Sequence, residues 1–193
     1  MISILLLYTQ LLMASPEKDF PKQEPPQTPS ETRLSEKIHV VQDLDANIKP
    51  YHYYSLLSGK SVAGDEPENW DIAFSKTTII INSQKVRSEP VKVQIINQPF
   101  DKIEKAPALG YSVDSENNRV IAGGSGNSWY LYDMKFHSIT PIRDRTILVR
   151  FNEKQFAKIE ILSYYKGAPE EIPTEESSYF TFRYVLSNEN GQF

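Results

Sequence analysis

From Ile38 onward, short runs of β-branched and aromatic residues are separated by Gly, Pro, Asn, Asp and Ser. This pattern is typical of strands joined by turns, because branched and flat side chains pack well on a pleated surface. No window longer than ten residues after Lys37 has a convincing helical period. The sequence therefore predicts an all-β domain over residues 38–193, either an antiparallel sandwich or an open barrel. The predicted strands are Ile38–Leu44, His52–Leu57, Trp70–Phe74, Thr78–Asn82, Val91–Ile96, Arg119–Ala122, Trp129–Tyr132, Thr146–Phe151, Phe156–Ser163 and Tyr179–Leu186.

Alternation within two of these strands predicts which side chains share a face. Ala157, Ile159 and Ile161 are apolar and alternate with more polar positions, so we expect their face to be core. In the strand predicted at Tyr179–Leu186, the same alternation places Phe180, Phe182 and Tyr184 on one face. The segment 151–156 is predicted to be a hairpin, and His39 is predicted to face solvent.

Composition excludes several function classes. The 193 residues suit one domain plus an unstructured arm. The formal net charge of −4 gives no electrostatic reason to expect a nucleic-acid partner. Cysteine is absent, so disulfides and thiolate metal sites are excluded. No nucleophile elbow or metal-binding motif such as HExxH is present, and we do not expect an enzyme.

The first 37 residues differ in character from the rest of the chain. Residues 1–15 contain an apolar run with the length of a signal-peptide core, which predicts an exported protein. The end of this run looks like the approach to a lipoprotein cleavage site, but Pro16 stands where Cys is required. The alternative is an amphipathic or disordered start on a soluble protein. Residues 16–37 are rich in Pro, Glu, Gln, Ser and Thr and are predicted to be a disordered tether.

Seven short segments are distinctive in their order and spacing: Tyr53–Leu56, Gly59-Lys60, Asn69–Phe74, Trp129-Tyr130, Val149-Arg150, Ala157–Ile161 and Tyr164-Tyr165. Read on their own, their aromatic residues are core or cross-strand pairs, and Asp71 is suited to bind backbone amides in a loop. Together the segments resemble the HmuY-like family of bacterial surface or secreted proteins, named for haem binding in haem acquisition. The resemblance spans Ile38–Tyr184 and implies an all-β fold with haem as the ligand.

Iron ligation by a chain without Cys needs His, Met or Tyr. The resemblance implies that one axial ligand follows shortly after the Trp of the second block. Met134 lies five residues after Trp129, and His137 follows three residues later, so the predicted proximal iron ligand is Met134 or His137. The stretch Gly110–Ser128, where the other ligand would be expected, contains neither His nor Met. We take His52 as the possible second group.

These expectations define two alternatives. The first is an exported, non-catalytic haem-binding protein of the bacterial surface, secreted or associated with the outer membrane. It would be peripheral or tethered to the membrane at most. Its partners would be haem or a haem-carrying protein, and possible further partners include an outer-membrane receptor. The second alternative is an interaction or structural module that keeps the fold and does not bind haem.

Overall fold

A computed structural model describes residues 37–193, except for 67, 85–88 and 175. The predicted leader over 1–15 and nearly all of the predicted tether over 16–37 lie outside the described residues. Within the described part, we find no helix with the length and apolar character needed to cross a membrane.

The described residues form an all-β domain whose strands are numbered here in chain order. A single 3₁₀ turn, Phe100–Lys102, lies between the sixth and seventh strands of the described chain. The strands are β1 His39–Asp45, β2 His52–Ser55, β3 Lys60–Val62, β4 Ile72–Ser75, β5 Thr78–Ile81, β6 Lys92–Ile96, β7 Tyr130–Asp133, β8 Ser138–Pro141, β9 Thr146–Arg150, β10 Phe156–Tyr165 and β11 Ser177–Leu186.

The strands form three antiparallel sheets. The largest has the order β1-β11-β10-β9-β6, and the second has the order β3-β2-β4-β5. β7 and β8 form a separate two-stranded hairpin. The long strands β10 and β11 pair in one register from Ala157 to Ile161, with Ile159 opposite Tyr184, and the register shifts beyond Ile161.

The main core lies between the two larger sheets. Phe74 of β4 packs against Phe180 and Phe182 of β11, with ring centroids 4.9 and 5.5 Å apart. All three side chains are fully buried. Burial of each such side chain stabilises the fold by about 1.5–3 kcal/mol, so these contacts hold the two sheets together as a sandwich.

A second apolar cluster covers the opposite face of the large sheet. It includes Phe100 from the 3₁₀ turn, Phe156 from β10 and Phe193 near the end of the chain. Lys158 is buried among them, where its Nζ donates to the carbonyl oxygen of Ile103 at 2.9 Å and lies over the rings of Phe100 and Phe193. The large sheet is therefore covered on both faces in this region.

The all-β prediction is confirmed, and so are most of the predicted strands and faces. Ala157, Ile159 and Ile161 are core residues, as predicted. The Phe180 face is also buried, and the predicted hairpin joins β9 to β10. One expectation was wrong in part: His39 is half-buried, with its ring stacked on that of Tyr184 at 4.7 Å.

The strand predicted at Arg119–Ala122 is absent from the described chain, where this segment is irregular. The reason lies in the carboxylate of Asp114. One of its oxygens accepts the backbone N–H of Val120 at 2.8 Å, and the other accepts that of Ile81 at 3.1 Å. A side chain thus supplies the hydrogen bond that a neighbouring strand would otherwise provide.

Candidate functional site

The β7–β8 hairpin carries two of the predicted ligands and is anchored in the main core. Trp129, immediately before β7, is buried, and its ring centroid lies 5.0 Å from that of Phe180. Its indole N–H donates to the carbonyl oxygen of Thr77 at 3.1 Å. Tyr130 is also buried, so the base of the hairpin has a fixed position. The interpretation of Trp129 as a core residue is confirmed.

The loop before the hairpin runs along it and adds further hydrogen bonds. Ser125 Oγ accepts the backbone N–H of Tyr132 at 2.8 Å, and the hydroxyl of Tyr130 accepts the N–H of Gly124 at 3.2 Å. On the other side, the hydroxyl of Tyr165 in β10 accepts the N–H of Ile139 at 2.9 Å. The hairpin is therefore supported from both sides.

The turn of the hairpin brings Met134 and His137 together at its tip. Asp133 Oδ1 accepts the backbone N–H groups of Lys135 and Phe136 at 2.7 and 2.9 Å, which fixes the first half of the turn. His137 closes the turn with a positive φ of 51°, in the left-handed region. The two predicted ligands thus belong to one four-residue turn.

Apolar side chains at this tip are unusually exposed. Met134 is 82% exposed and Phe136 is 57% exposed, while Leu131 on β7 is 51% exposed. A neighbouring exposed aromatic residue, Tyr132, carries a polar hydroxyl. We call this set, Leu131, Tyr132, Met134, Phe136 and His137, the tip cluster. Exposed apolar groups gathered in one place are typical of a binding surface.

The tip cluster contains three kinds of donor that haem iron accepts: a thioether, an imidazole and a phenol. Its exposed apolar side chains suit the flat hydrocarbon surface of a porphyrin. All of these groups belong to one hairpin, and two of them, Tyr132 and His137, are in direct contact.

His52 lies in a different sheet and is already engaged. On β2, its Nδ1 is 2.9 Å from the carbonyl oxygen of Asp45, and its Nε2 is 2.7 Å from Ser61 Oγ. An iron ligated by His52 would have to replace one of these hydrogen bonds. The structure does not place His52 in the tip cluster.

Two tyrosines of the core differ from the exposed Tyr132 because they are buried. Desolvation raises the pKa of Tyr164, despite the opposing hydrogen bond with Ser178 at 2.7 Å. Burial likewise raises the pKa of Tyr184. A raised pKa keeps these core phenols protonated, so they are poor candidates for a metal-bound phenolate.

Other candidate sites in the described chain offer less chemistry. A cleft of about 350 Å³ lies between β8 and β10, and a second one of about 340 Å³ is lined by polar residues from 116 to 123. Among the described residues, no group of three or more His, Asp or Glu side chains is placed to hold a metal ion.

Comparison with known proteins decides the family. The HmuY protein family model matches residues 47–184, which include the four-stranded sheet, the hairpin and all of the large sheet except β1 and the end of β11. The chain belongs to the HmuY family. A search of curated proteins for similar sequences finds no match.

Solved structures agree with this placement at the level of the fold. The apo HmuY analogue of Tannerella forsythia has a TM-score of 0.54 and 14% identity, covering 79% of this chain and 95% of the analogue. A candidate lipoprotein of Bacteroides fragilis has a TM-score of 0.49 and 16% identity, with 77% and 87% covered. A candidate HmuY-like haem-binding protein of Bacteroides vulgatus has a TM-score of 0.47 and 14% identity, with 77% and 90% covered.

Sequence reasoning about this HmuY family member missed Leu131, Tyr132 and Phe136 as residues of the candidate site. One signal was available for Tyr132, because it lies only two residues before Met134 in the sequence. The exposure of Phe136 could not be read from its apolar character, which favours burial. It follows from the turn fixed by Asp133.

Proposed function

We propose that this protein is an exported, non-catalytic haem-binding protein of the bacterial surface that takes part in haem acquisition. Membership of the HmuY family supports the ligand class. The observation that carries the proposal is the tip cluster, where Met134 and His137 share one exposed turn with apolar neighbours. Haem, or a protein that carries haem, is the proposed partner, and an outer-membrane receptor is a further one.

Met134 suits ferrous haem in particular. A thioether is a soft donor without charge, so it stabilises reduced iron relative to oxidised iron. His137 is the alternative ligand in the same turn, and His52 is the proposed second group after loss of one of its hydrogen bonds. Ligation from a single hairpin would give an asymmetric site that is weaker than a bis-histidine site.

Titration with haem in both oxidation states, followed by visible spectroscopy, tests this proposal. We expect a saturable change in the Soret band of ferrous haem at micromolar protein. Met134→Ala should lower the affinity for ferrous haem more than about tenfold, comparable to the loss of a group that supports a metal site. Leu109→Ala is the matched control, because Leu109 is also 82% exposed but lies outside the hairpin. If neither oxidation state gives a saturable change, the haem proposal fails.

The second candidate function is an interaction module that does not bind haem. One observation favours it: Trp129 and Tyr130 fill the space at the base of the hairpin, so a haem would have to bind at the exposed tip. The loop from 110 to 128 also supplies no His or Met. This alternative predicts no Soret change and a protein partner that contacts the tip cluster.

A further inference from the structure

The tip cluster contains one hydrogen bond that the proposed function does not use. The hydroxyl oxygen of Tyr132 lies 2.6 Å from Nδ1 of His137. The two rings are 6.1 Å apart at an interplanar angle of 50°, so they meet through these polar atoms and are not stacked. Both side chains are exposed, which leaves the tyrosine oxygen accessible to a ligand.

The roles of the two groups in this hydrogen bond depend on the imidazole tautomer. In the tautomer that carries its hydrogen on Nε2, Nδ1 of His137 accepts a hydrogen bond from the Tyr132 hydroxyl. In this arrangement the lone pair of Nδ1 is used by the hydrogen bond, whereas the phenol oxygen keeps both of its lone pairs.

We infer that the hydroxyl oxygen of Tyr132 is the ligand that the hairpin offers to ferric haem, with His137 as its hydrogen-bond partner. This inference rests on the proposed haem binding and assigns its ferric ligand. On coordination, a bond forms between iron and the tyrosine oxygen, the O–H bond breaks, and its proton moves to Nδ1 of His137. A water molecule leaves the iron. No electron is transferred.

Chemical hardness supports separate roles for the two ligands. A phenolate is a hard anion that favours ferric iron, whereas the thioether of Met134 is soft and favours ferrous iron. Tyr132 and Met134 are two residues apart on one hairpin. The same surface therefore offers one donor suited to each oxidation state.

The surrounding structure holds Tyr132 in place without occupying its oxygen. Ser125 Oγ fixes the backbone N–H of Tyr132, and the left-handed backbone of His137 places its ring next to the hydroxyl. This arrangement exists before a ligand arrives, so little ordering is required on binding.

Titration of Tyr132→Phe with ferric and ferrous haem tests the inference. We expect the ferric affinity to fall more than about tenfold, at least as much as for the loss of a group that supports a metal site, and to fall more than the ferrous affinity does. The wild-type ferric complex should have a phenolate-to-iron charge-transfer band that Tyr132→Phe lacks. Resonance Raman bands of this complex should shift when the protein contains ring-deuterated tyrosine.

Two further variants make the assignment specific. Tyr51→Phe is the matched control, because it removes another hydroxyl with a surface hydrogen bond, 3.3 Å from Arg119 Nη2, and should bind ferric haem like the wild type. His137→Asn keeps a residue type that tolerates the left-handed backbone. It should retain the charge-transfer band at a shifted wavelength, because the oxygen loses its partner.

The outcomes separate this inference from the proposed function. If the wild type binds ferric haem and Tyr132→Phe keeps its affinity and spectrum, the assignment of Tyr132 is overturned while haem binding stands. Loss of ferric binding in His137→Asn together with retention in Tyr132→Phe would identify His137 as the ligand. If the wild type binds haem in neither oxidation state, the proposed function fails and the inference fails with it.

Discussion

Asp71 is a buried carboxylate whose work is structural. Its Oδ2 accepts the backbone N–H groups of Leu56 and Leu57 at 2.8 and 3.3 Å, and the hydroxyl of Ser55 at 3.3 Å. These bonds fix the turn between β2 and β3 next to the main core. The prediction that Asp71 binds backbone amides in a loop is confirmed. An acidic residue in a family motif is therefore not by itself evidence of chemistry.

Replacing Asp71 by alanine should lower the free energy of unfolding by about 3 kcal/mol, because buried amides lose a charged acceptor. Urea denaturation measures this change. Asp65→Ala is the matched control, since Asp65 is exposed in the loop between β3 and β4, and its effect should stay within about 0.5 kcal/mol. Equal losses in the two variants would contradict this account of the buried carboxylate.

At the scale of elements, the alternation of apolar and polar residues predicted the buried face of a strand well where the other face is left uncovered by the rest of the protein. Ala157, Ile159 and Ile161 fit this rule. Lys158 does not, because the 3₁₀ turn and the end of the chain cover the second face of the sheet and bury it. Because the covering segments are distant in the sequence, the residue pattern of the strand does not indicate that its second face is buried.

Prediction of the candidate site was limited in the same way, because the sequence pattern relates residues that are close along the chain but not distant ones. The positions of Met134 and His137 after Trp129 made them alternative candidates for one ligand, and the structure places both in one turn. His52 was joined to them without a local pattern, and the structure places it in another sheet. The short strands β3 and β8 were missed, because they are only three and four residues long, β3 begins with Lys, and β8 ends at a Pro, both of which are depleted in strands.

The hairpin should respond very differently to changes at its base and at its tip. Trp129→Ala should lower the free energy of unfolding by about 3–5 kcal/mol, because it opens a cavity in the main core. Leu131→Ala, on the exposed surface of the same hairpin, should change it by about 0.5 kcal/mol or less. Thermal or urea unfolding measures both values. A loss below about 1 kcal/mol for Trp129→Ala would mean that the base of the hairpin is not part of the core.

At the scale of the whole molecule, the fold is retained with little sequence identity. The Tannerella forsythia analogue shares 14% of aligned residues at a TM-score of 0.54. A sandwich needs apolar residues of suitable size at alternating positions, and many sequences satisfy this condition. The proposed ligand residues on the exposed hairpin are free of that constraint. For this reason membership of the family supports haem as the proposed ligand but does not identify the donor residues.

The proposed location at the cell surface can be tested at the end of the predicted leader. The apolar run over residues 1–15 ends at a sequence that resembles a lipoprotein cleavage site, except that Pro16 replaces the Cys that carries the lipid. Pro16→Cys should therefore complete the site, and growth of a native host with a labelled fatty acid should then label the protein. Pro16→Ala is the control, because it removes the proline without supplying a thiol, and it should remain unlabelled. If Pro16→Cys also remains unlabelled, the resemblance to a lipoprotein site is accidental; recovery of the wild type from the cytosol alone would contradict export.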